Sequence, residues 1–253
     1  MAIGKISLGI LSACITHLRQ IHGKLTPRPC ADGVQSTHAN TTKEGDMPYS
    51  VNTFDDILVD QIKRLNPKSI LDVGAGAGKN GRLLRQSWYS GTLDAVEPTE
   101  KYITEFNLSN TYNKVYTQSI EEYIQKNPTN RYDVAVFGDV LEHLFRSSVI
   151  DYLDYFLYRT RWVIIVWPTH HPQDDYDNNH YEVHRSNFNL RDLSDKFDVQ
   201  YFVTRFGFDN PEPSSISGKY NYCVIKGHMV SQRDSIYDFT NWKSDLASTH
   251  LKG

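Results

Sequence analysis

Residues 70–80 read ILDVGAGAGKN, a short apolar and β-prone run followed at once by three alternating glycines. Glycine tolerates positive φ and lets a ligand lie against bare main chain. Gly74, Gly76 and Gly78 therefore predict a binding turn between a strand and a helix. The plainer reading is a tight turn that holds nothing. The surroundings decide what kind of sheet the turn belongs to. Upstream, Asn52 or Thr53 is placed to cap a helix that carries Phe54, Ile57, Leu58, Ile62 and Leu65 at helical spacing and ends at Asn66-Pro67. Downstream, further strands are expected at 92–97, 114–118, 132–138 and 161–168. Between them lie helices around Leu83-Leu84, Tyr102 to Phe106, Ile120 to Ile124 and Tyr152 to Leu157.

Continuous apolar strands alternating with helices imply a parallel sheet covered on both faces. The last third differs: 197–208 and 219–228 are two strands joined by a Pro/Ser/Gly loop with no helix between them, which predicts a terminal hairpin. The fold class expected is α/β, a doubly wound, mostly parallel seven-stranded sheet ending in an antiparallel hairpin. Residues 23–47 hold almost no large apolar side chain and read as a linker. The organisation expected is a flexible extension over 1–47 with one short amphipathic helix near 6–22, a folded domain over 48–230 and a tail over 231–253.

Composition excludes several partners. The net charge is −3 and the 27 basic residues are scattered, so no field gathers nucleic acid. Cys14, Cys30 and Cys223 form no CxxC pair and leave one cysteine over, which fits a reducing compartment. No stretch approaches the roughly 20 apolar residues of a membrane span. Residues 11–14, LSAC, have the look of a lipoprotein cleavage box, but the apolar run before them is short and Lys5 is the sole charge there. A cytoplasmic location is expected, and nothing specifies an oligomeric state.

In a doubly wound sheet ligands sit outside the C-terminal strand ends. Three acids stand at such ends: Asp72 before the glycines, Glu97 closing the second strand and Asp139 after the fourth. The stretches LDVGAGAGKNGRLL, DAVEP and YDVAVFGDVLEHL, in this order and spacing, resemble the nucleotide-binding half of class I S-adenosylmethionine-dependent methyltransferases, which have a Rossmann-like sheet. The resemblance covers residues 50–228 or so and implies S-adenosylmethionine as cofactor. Glu97, 21 positions beyond Gly76, is placed to accept hydrogen bonds from both ribose hydroxyls. The glycines, with Ala75, would face the amino-acid part of the cofactor, and Asp72 and Asp139 its ammonium. Gln118, Ser119 and Ile120 would flank the adenine, although the acid often found there in the family is absent. Pro98, Val140 and Leu141 complete the expected cofactor contacts. Residues 76–81 also spell GxGxxG, but a dinucleotide fingerprint has no use for an acid two residues before the glycines or for GDVLEHL after the fourth strand.

The activity implied is methyl transfer to a small polar metabolite, such as a sugar, a phenolic or a natural-product intermediate. A non-catalytic cofactor-binding protein of the same fold is the alternative. A hydroxyl acceptor needs a base, and the candidates are His143 in the DVLEHL turn, then His170, His171 and His184, with His180 beside them. The last four lie in the polar loop 168–186, which is expected to be a mobile cover ordered by bound substrate. Small-molecule O-methyltransferases of the quinone-biosynthesis type hold magnesium with a similar turn, here Asp139, Glu142 and His143. The loop offers no clean ligand spacing for zinc, and no metal site is assigned from the sequence.

Overall fold

The computed structural model describes residues 51–175, 178–206 and 218–229. The expected extension, the tail and most of the loop between the last two strands lie outside these residues. A 3-10 turn over Asn52–Phe54 leads into α1 (Asp55–Leu65), followed by β1 (Ser69–Val73), α2 (Lys79–Ser87), β2 (Thr92–Val96) and α3 (Glu100–Glu105). Next come β3 (Lys114–Tyr116), α4 (Ile120–Lys126), β4 (Tyr132–Gly138), α5 (Arg146–Leu157) and β5 (Thr160–Pro168). The chain closes with α6 (Leu190–Ser194), β6 (Val199–Phe206) and β7 (Lys219–Lys226).

The seven strands form one sheet in the order β3-β2-β1-β4-β5-β7-β6. β1 to β5 pair in parallel, whereas β7 runs antiparallel between β5 and β6. The expected sheet and its terminal hairpin are thus present. β1 lies between β2 and β4, so the chain turns outward from the centre in one direction and then in the other. That reversal opens a crevice above the C-terminal ends of β1 and β4.

Strand alternation sends successive side chains to opposite faces, and each face has its own core. Ile70, Leu93, Ala95, Val134, Val136 and Ile164 pack under α1 and α2. Leu71, Val73, Ala135, Phe137, Val163 and Ile165 pack under α4 and α5, with Tyr123, Leu153 and Phe156 among the helical partners. Both faces being covered is why these strands lack polar alternation.

The structure corrects several local expectations. Neither Asn52 nor Thr53 caps α1 with its side chain. Thr53 and Phe54 are instead buried in the turn that precedes the helix, so docking fixes its start, and Asp55 and Asp56 supply the negative charge that its first turn favours. β3 is shorter than expected, because its last residues turn away toward the Ser119 cap of α4. α6 was not foreseen: it has five residues and stands on a capping box between Asn189 and Asp192.

Candidate functional site

Three loops meet above the C-terminal strand ends. In the first, Gly74, Gly76 and Gly78 all have positive φ, of 70°, 52° and 77°. The amides of Gly74 and Ala75 both donate to the Val96 carbonyl, at 2.8 and 3.1 Å, which ties the loop to the end of β2. A Cβ on Gly74 would lie 2.6 Å from Cγ2 of Val140, so the loops after β1 and β4 touch where only glycine fits.

Glu97 stands directly after β2 and is 4% exposed. Its Oε2 accepts the Gly76 amide at 2.7 Å and its Oε1 the Thr99 amide at 2.8 Å. Burial pushes the carboxyl pKa up, and these two amides partly offset that. The Thr99 side chain also bonds to the carboxylate, and what remains of its roughly four acceptor sites is open to a ligand hydroxyl. The geometry therefore fits a ribose, and the same side chain shapes the glycine loop.

Asp72 is more enclosed than its place in the motif suggests. Tyr112 donates its hydroxyl to Oδ2 at 2.6 Å, and the Asn80 amide lies 3.5 Å from Oδ1. Burial raises its pKa to about 6 against the pull of these partners. Neither Tyr112 nor Asn80 stood out in the sequence. Asp139 has a φ of 54°, and its amide donates to the Val166 carbonyl at 3.0 Å. Its Oδ2 accepts the Val51 amide at 3.2 Å, while Lys79 reaches the Val51 carbonyl at 2.6 Å and pairs with Asp55. The first described residue of the chain is thus tied to two of the three loops.

On the side of β3, Ser119 caps α4 by accepting the Glu122 amide at 3.2 Å. Gln118 accepts from Asn127 at 3.1 Å, and Ile120 is buried. Pro98 is half-buried beside Glu97, and Val140 and Leu141 are buried after β4.

The expected histidines separate into two groups. His170, His171 and His180 are exposed. His143 is largely enclosed, with its ring edge-on to that of His184 at 4.6 Å between centroids. Its Nδ1 is buried without a hydrogen-bond partner, as is Oε2 of Glu142. Burial, then the neighbouring His184, lowers the His143 pKa to about 4. Burial, then the charge of Asp139, raises that of Glu142 well above the usual carboxylate range. From the sequence Glu142 stood out only through the resemblance to the magnesium-holding turn, beside the plainer reading of an acid in the first turn of a helix.

The loop after β5 is not held as expected. Its described residues take their order from the chain itself. Arg185 and Ser186 donate their amides to the Glu142 carbonyl at 2.7 and 3.0 Å, and the Arg185 side chain reaches the His143 carbonyl at 2.7 Å. Asn179 bonds to Thr99 at 3.1 Å. Trp167 and Phe188, joined by an indole-to-carbonyl bond of 2.9 Å, anchor the two ends. Paired polar backbone supplies the order that its few apolar residues cannot.

A mostly parallel sheet in this strand order, with a glycine loop after β1 and a buried acid after β2, defines a class: the class I S-adenosylmethionine-dependent methyltransferases. A family model described as a methyltransferase domain matches residues 54–210, more than half of the chain. The chain belongs to that family and is an S-adenosylmethionine-dependent methyltransferase. No curated protein matches it in sequence. Among solved structures it is similar to protein 1320 of Thermoplasma acidophilum, with 12% identity, 70% of this chain and 89% of that one covered, and a TM-score of 0.50. TehB from Haemophilus influenzae is 18% identical over 68% of this chain and 62% of its own, with a TM-score of 0.50. The Burkholderia thailandensis 1,6-didemethyltoxoflavin-N1-methyltransferase, solved with 1,6-didemethyltoxoflavin and S-adenosylhomocysteine, is 18% identical over 68% and 76%, again with a TM-score of 0.50. At these identities the likeness is one of fold. With the family established, the dinucleotide reading of residues 76–81 falls away.

Proposed function

We propose that this methyltransferase acts on a small polar metabolite whose acceptor atom approaches from the loops after β4 and β5. The observation that carries this reading is the pairing of two sites at one sheet edge. One is the glycine loop with Glu97; the other is the enclosed cluster of Glu142, His143 and His184. The Burkholderia thailandensis protein, which holds a small heterocycle in the same fold, supports the acceptor class.

Glu97 would hold the ribose hydroxyls, and the loop over Gly74, Ala75, Gly76 and Gly78 would lie against the amino-acid part, with Asp139 toward the ammonium. Asp72 would act beneath the loop, through Asn80 and Tyr112. Gln118, Ser119 and Ile120, with Pro98, would border the base, and Val140 and Leu141 the centre of the cofactor. S-adenosylmethionine supplies an electrophilic methyl group on a sulfonium, so the protein's task is positioning, exclusion of water and removal of a proton.

His143 is neutral at pH 7 because its pKa is held near 4, so its ring nitrogen can take a proton. The loop bearing His170, His171 and His184 would cover the acceptor, with His184 beside His143 and the two exposed histidines shaping the entrance.

The test is transfer of a labelled methyl group from S-adenosylmethionine into a fractionated extract of the source cells. Label in a low-molecular-mass product, with turnover at least about tenfold lower in His143→Ala at unchanged cofactor affinity, is the expected result. Label confined to protein or nucleic acid would overturn the acceptor class.

A further inference from the structure

The loops after β2 and β5 meet above the sheet through two side chains that the cofactor contacts leave unused. Asn179 donates Nδ2 to the Thr99 hydroxyl at 3.1 Å, across 80 positions of chain. The direction of that bond is fixed at both ends. Oδ1 of Asn179 accepts the Tyr181 amide at 3.1 Å and caps the 3-10 turn His180–Glu182, so the amide nitrogen is the end that faces Thr99. The Thr99 side chain also bonds to Glu97, whose Oε1 takes the Thr99 amide at 2.8 Å. A hydroxyl has one proton to give, and an ionised carboxylate can only accept. The proton of Thr99 therefore points at Glu97 and a lone pair at Asn179. The chain of bonds runs from the turn, through Asn179 and Thr99, to the carboxylate that holds the Gly76 amide at 2.7 Å.

Two moorings place this turn over the crevice. Asn179 holds it to the loop after β2, while the Arg185 and Ser186 amides hold its far end to the Glu142 carbonyl after β4. β1 lies between β2 and β4 in the sheet, so the segment spans the end of β1, where the glycine loop stands. The fit is not complete. The Tyr102 hydroxyl, on α3, is buried without a closed hydrogen bond, although the Glu182 carboxyl and the Asn179 amide stand close enough to act on it. Burial raises the pKa of the Glu182 carboxyl against the pull of Tyr102. A small inward movement of the turn would close the Tyr102 bond and add a second latch beside the first.

We propose that Thr99 and Asn179 are positioning residues that couple the ribose site to the turn above it, so that cofactor binding draws the turn His180–Glu182 shut over the crevice. The coupling rests on the reading of Glu97 as the ribose acid. Burial favours the neutral form of Glu97, whereas ribose hydroxyls donating to it favour the ionised form. Ionised Glu97 keeps the Thr99 proton on its own side and leaves the lone pair for Asn179. Protonated Glu97 can donate to Thr99 instead, and the order of the chain is lost. Coupling of this kind is reciprocal, so a closed turn also tightens cofactor binding. The order of binding that follows is cofactor first and acceptor second, into a pocket that the closed turn completes.

The test is amide exchange of the full-length protein with and without saturating S-adenosylhomocysteine, its dissociation constant measured on the same samples by calorimetry. The amides of Tyr181, Glu182 and His184 bond to Asn179 and Gln173 and report opening of the turn. In the wild type the ligand should slow their exchange at least about fivefold. Thr99→Val keeps the backbone amide on Glu97 but loses the hydroxyl, and Asn179→Asp keeps the Tyr181 cap but loses the donor. In both variants saturating ligand should slow exchange less than about twofold. Thr99→Ser should restore the wild-type response. Because every sample is saturated, a lower affinity alone does not produce this pattern. Asn179→Asp leaves Thr99 and Glu97 in place and decides the matter should Thr99→Val fail to bind. Wild-type protein that binds S-adenosylhomocysteine with no change in these three amides would overturn the coupling and leave the methyl-transfer reading standing. So would protection retained in both variants, or lost in Thr99→Ser. Wild-type protein that binds no S-adenosylhomocysteine would sink the ribose site and the coupling together.

Discussion

Glu97 holds the glycine loop and, in the function proposed, a ligand as well. Its oxygens fix the Gly76 and Thr99 amides at 2.7 and 2.8 Å, and its remaining acceptor capacity suits a ligand hydroxyl. Glu97→Ala removes all of these at once and leaves two loop amides unpaired. We expect S-adenosylhomocysteine to bind at least about tenfold more weakly, or about 1.4 kcal/mol, by calorimetry. An unchanged dissociation constant would contradict the role. Asp72 gives a prediction in pH. Its pKa is raised from 3.8 to about 6, so between these values the folded chain keeps a proton that the unfolded chain has lost. Stability from this group is therefore greatest below about pH 4 and falls as pH rises through about 6, by on the order of 3 kcal/mol. Asp72→Asn should remove that slope while its oxygen still accepts from Tyr112. Urea unfolding at pH 4.5 and 7 checks it: the variant should gain on the wild type at the higher pH, and a constant difference would refute the assignment.

Among the elements, the segment from Asn179 to Ser186 has no buried residue and depends on single hydrogen bonds for its order. Arg185 reaches two carbonyls, those of His143 and His180, and so ties the 3-10 turn His180–Glu182 to the β4 turn. Arg185→Gln cannot span both. We expect faster amide exchange at Glu182, His184 and Ser186, with a melting temperature within a few degrees of wild type, because the core helices and strands do not depend on this contact. Uniform exchange across the chain would show that Arg185 supports the whole fold instead. The same dependence explains why the loop read as a free cover. Its sequence displays polar side chains, whereas its order comes from backbone amides meeting the Glu142 carbonyl. Main-chain pairing leaves no mark in a pattern of side chains. α6 was missed for a related reason: five residues with one fully buried apolar side chain, Leu193, are too few to set a period.

At the scale of the molecule, a two-faced core carries a ligand site at one sheet edge, so occupancy there should stabilise the whole domain. S-adenosylhomocysteine at a hundred times its dissociation constant should add about 2.7 kcal/mol to unfolding, while NAD adds nothing. Chemical denaturation with each ligand checks this, and a curve unmoved by S-adenosylhomocysteine would break the link between site and fold. The sheet itself was determined by local sequence. Runs such as residues 69–73 and 132–138 are largely apolar, bounded by turn residues and separated by helices, so their extent and parallel pairing were readable from the sequence. The glycine loop and Glu97 were legible too, because the backbone conformation and the strand-end placement are coded within a few residues of each other. What only the tertiary structure decided is which distant side chains share an enclosure. Asp72 meets Tyr112 across 40 positions, and Glu142 and His143 meet His184 after the chain has crossed α5 and β5 and returned. A buried carboxylate or imidazole takes its chemistry from whatever surrounds it in space, and those surroundings exist only once strand order and loop docking have brought the segments together.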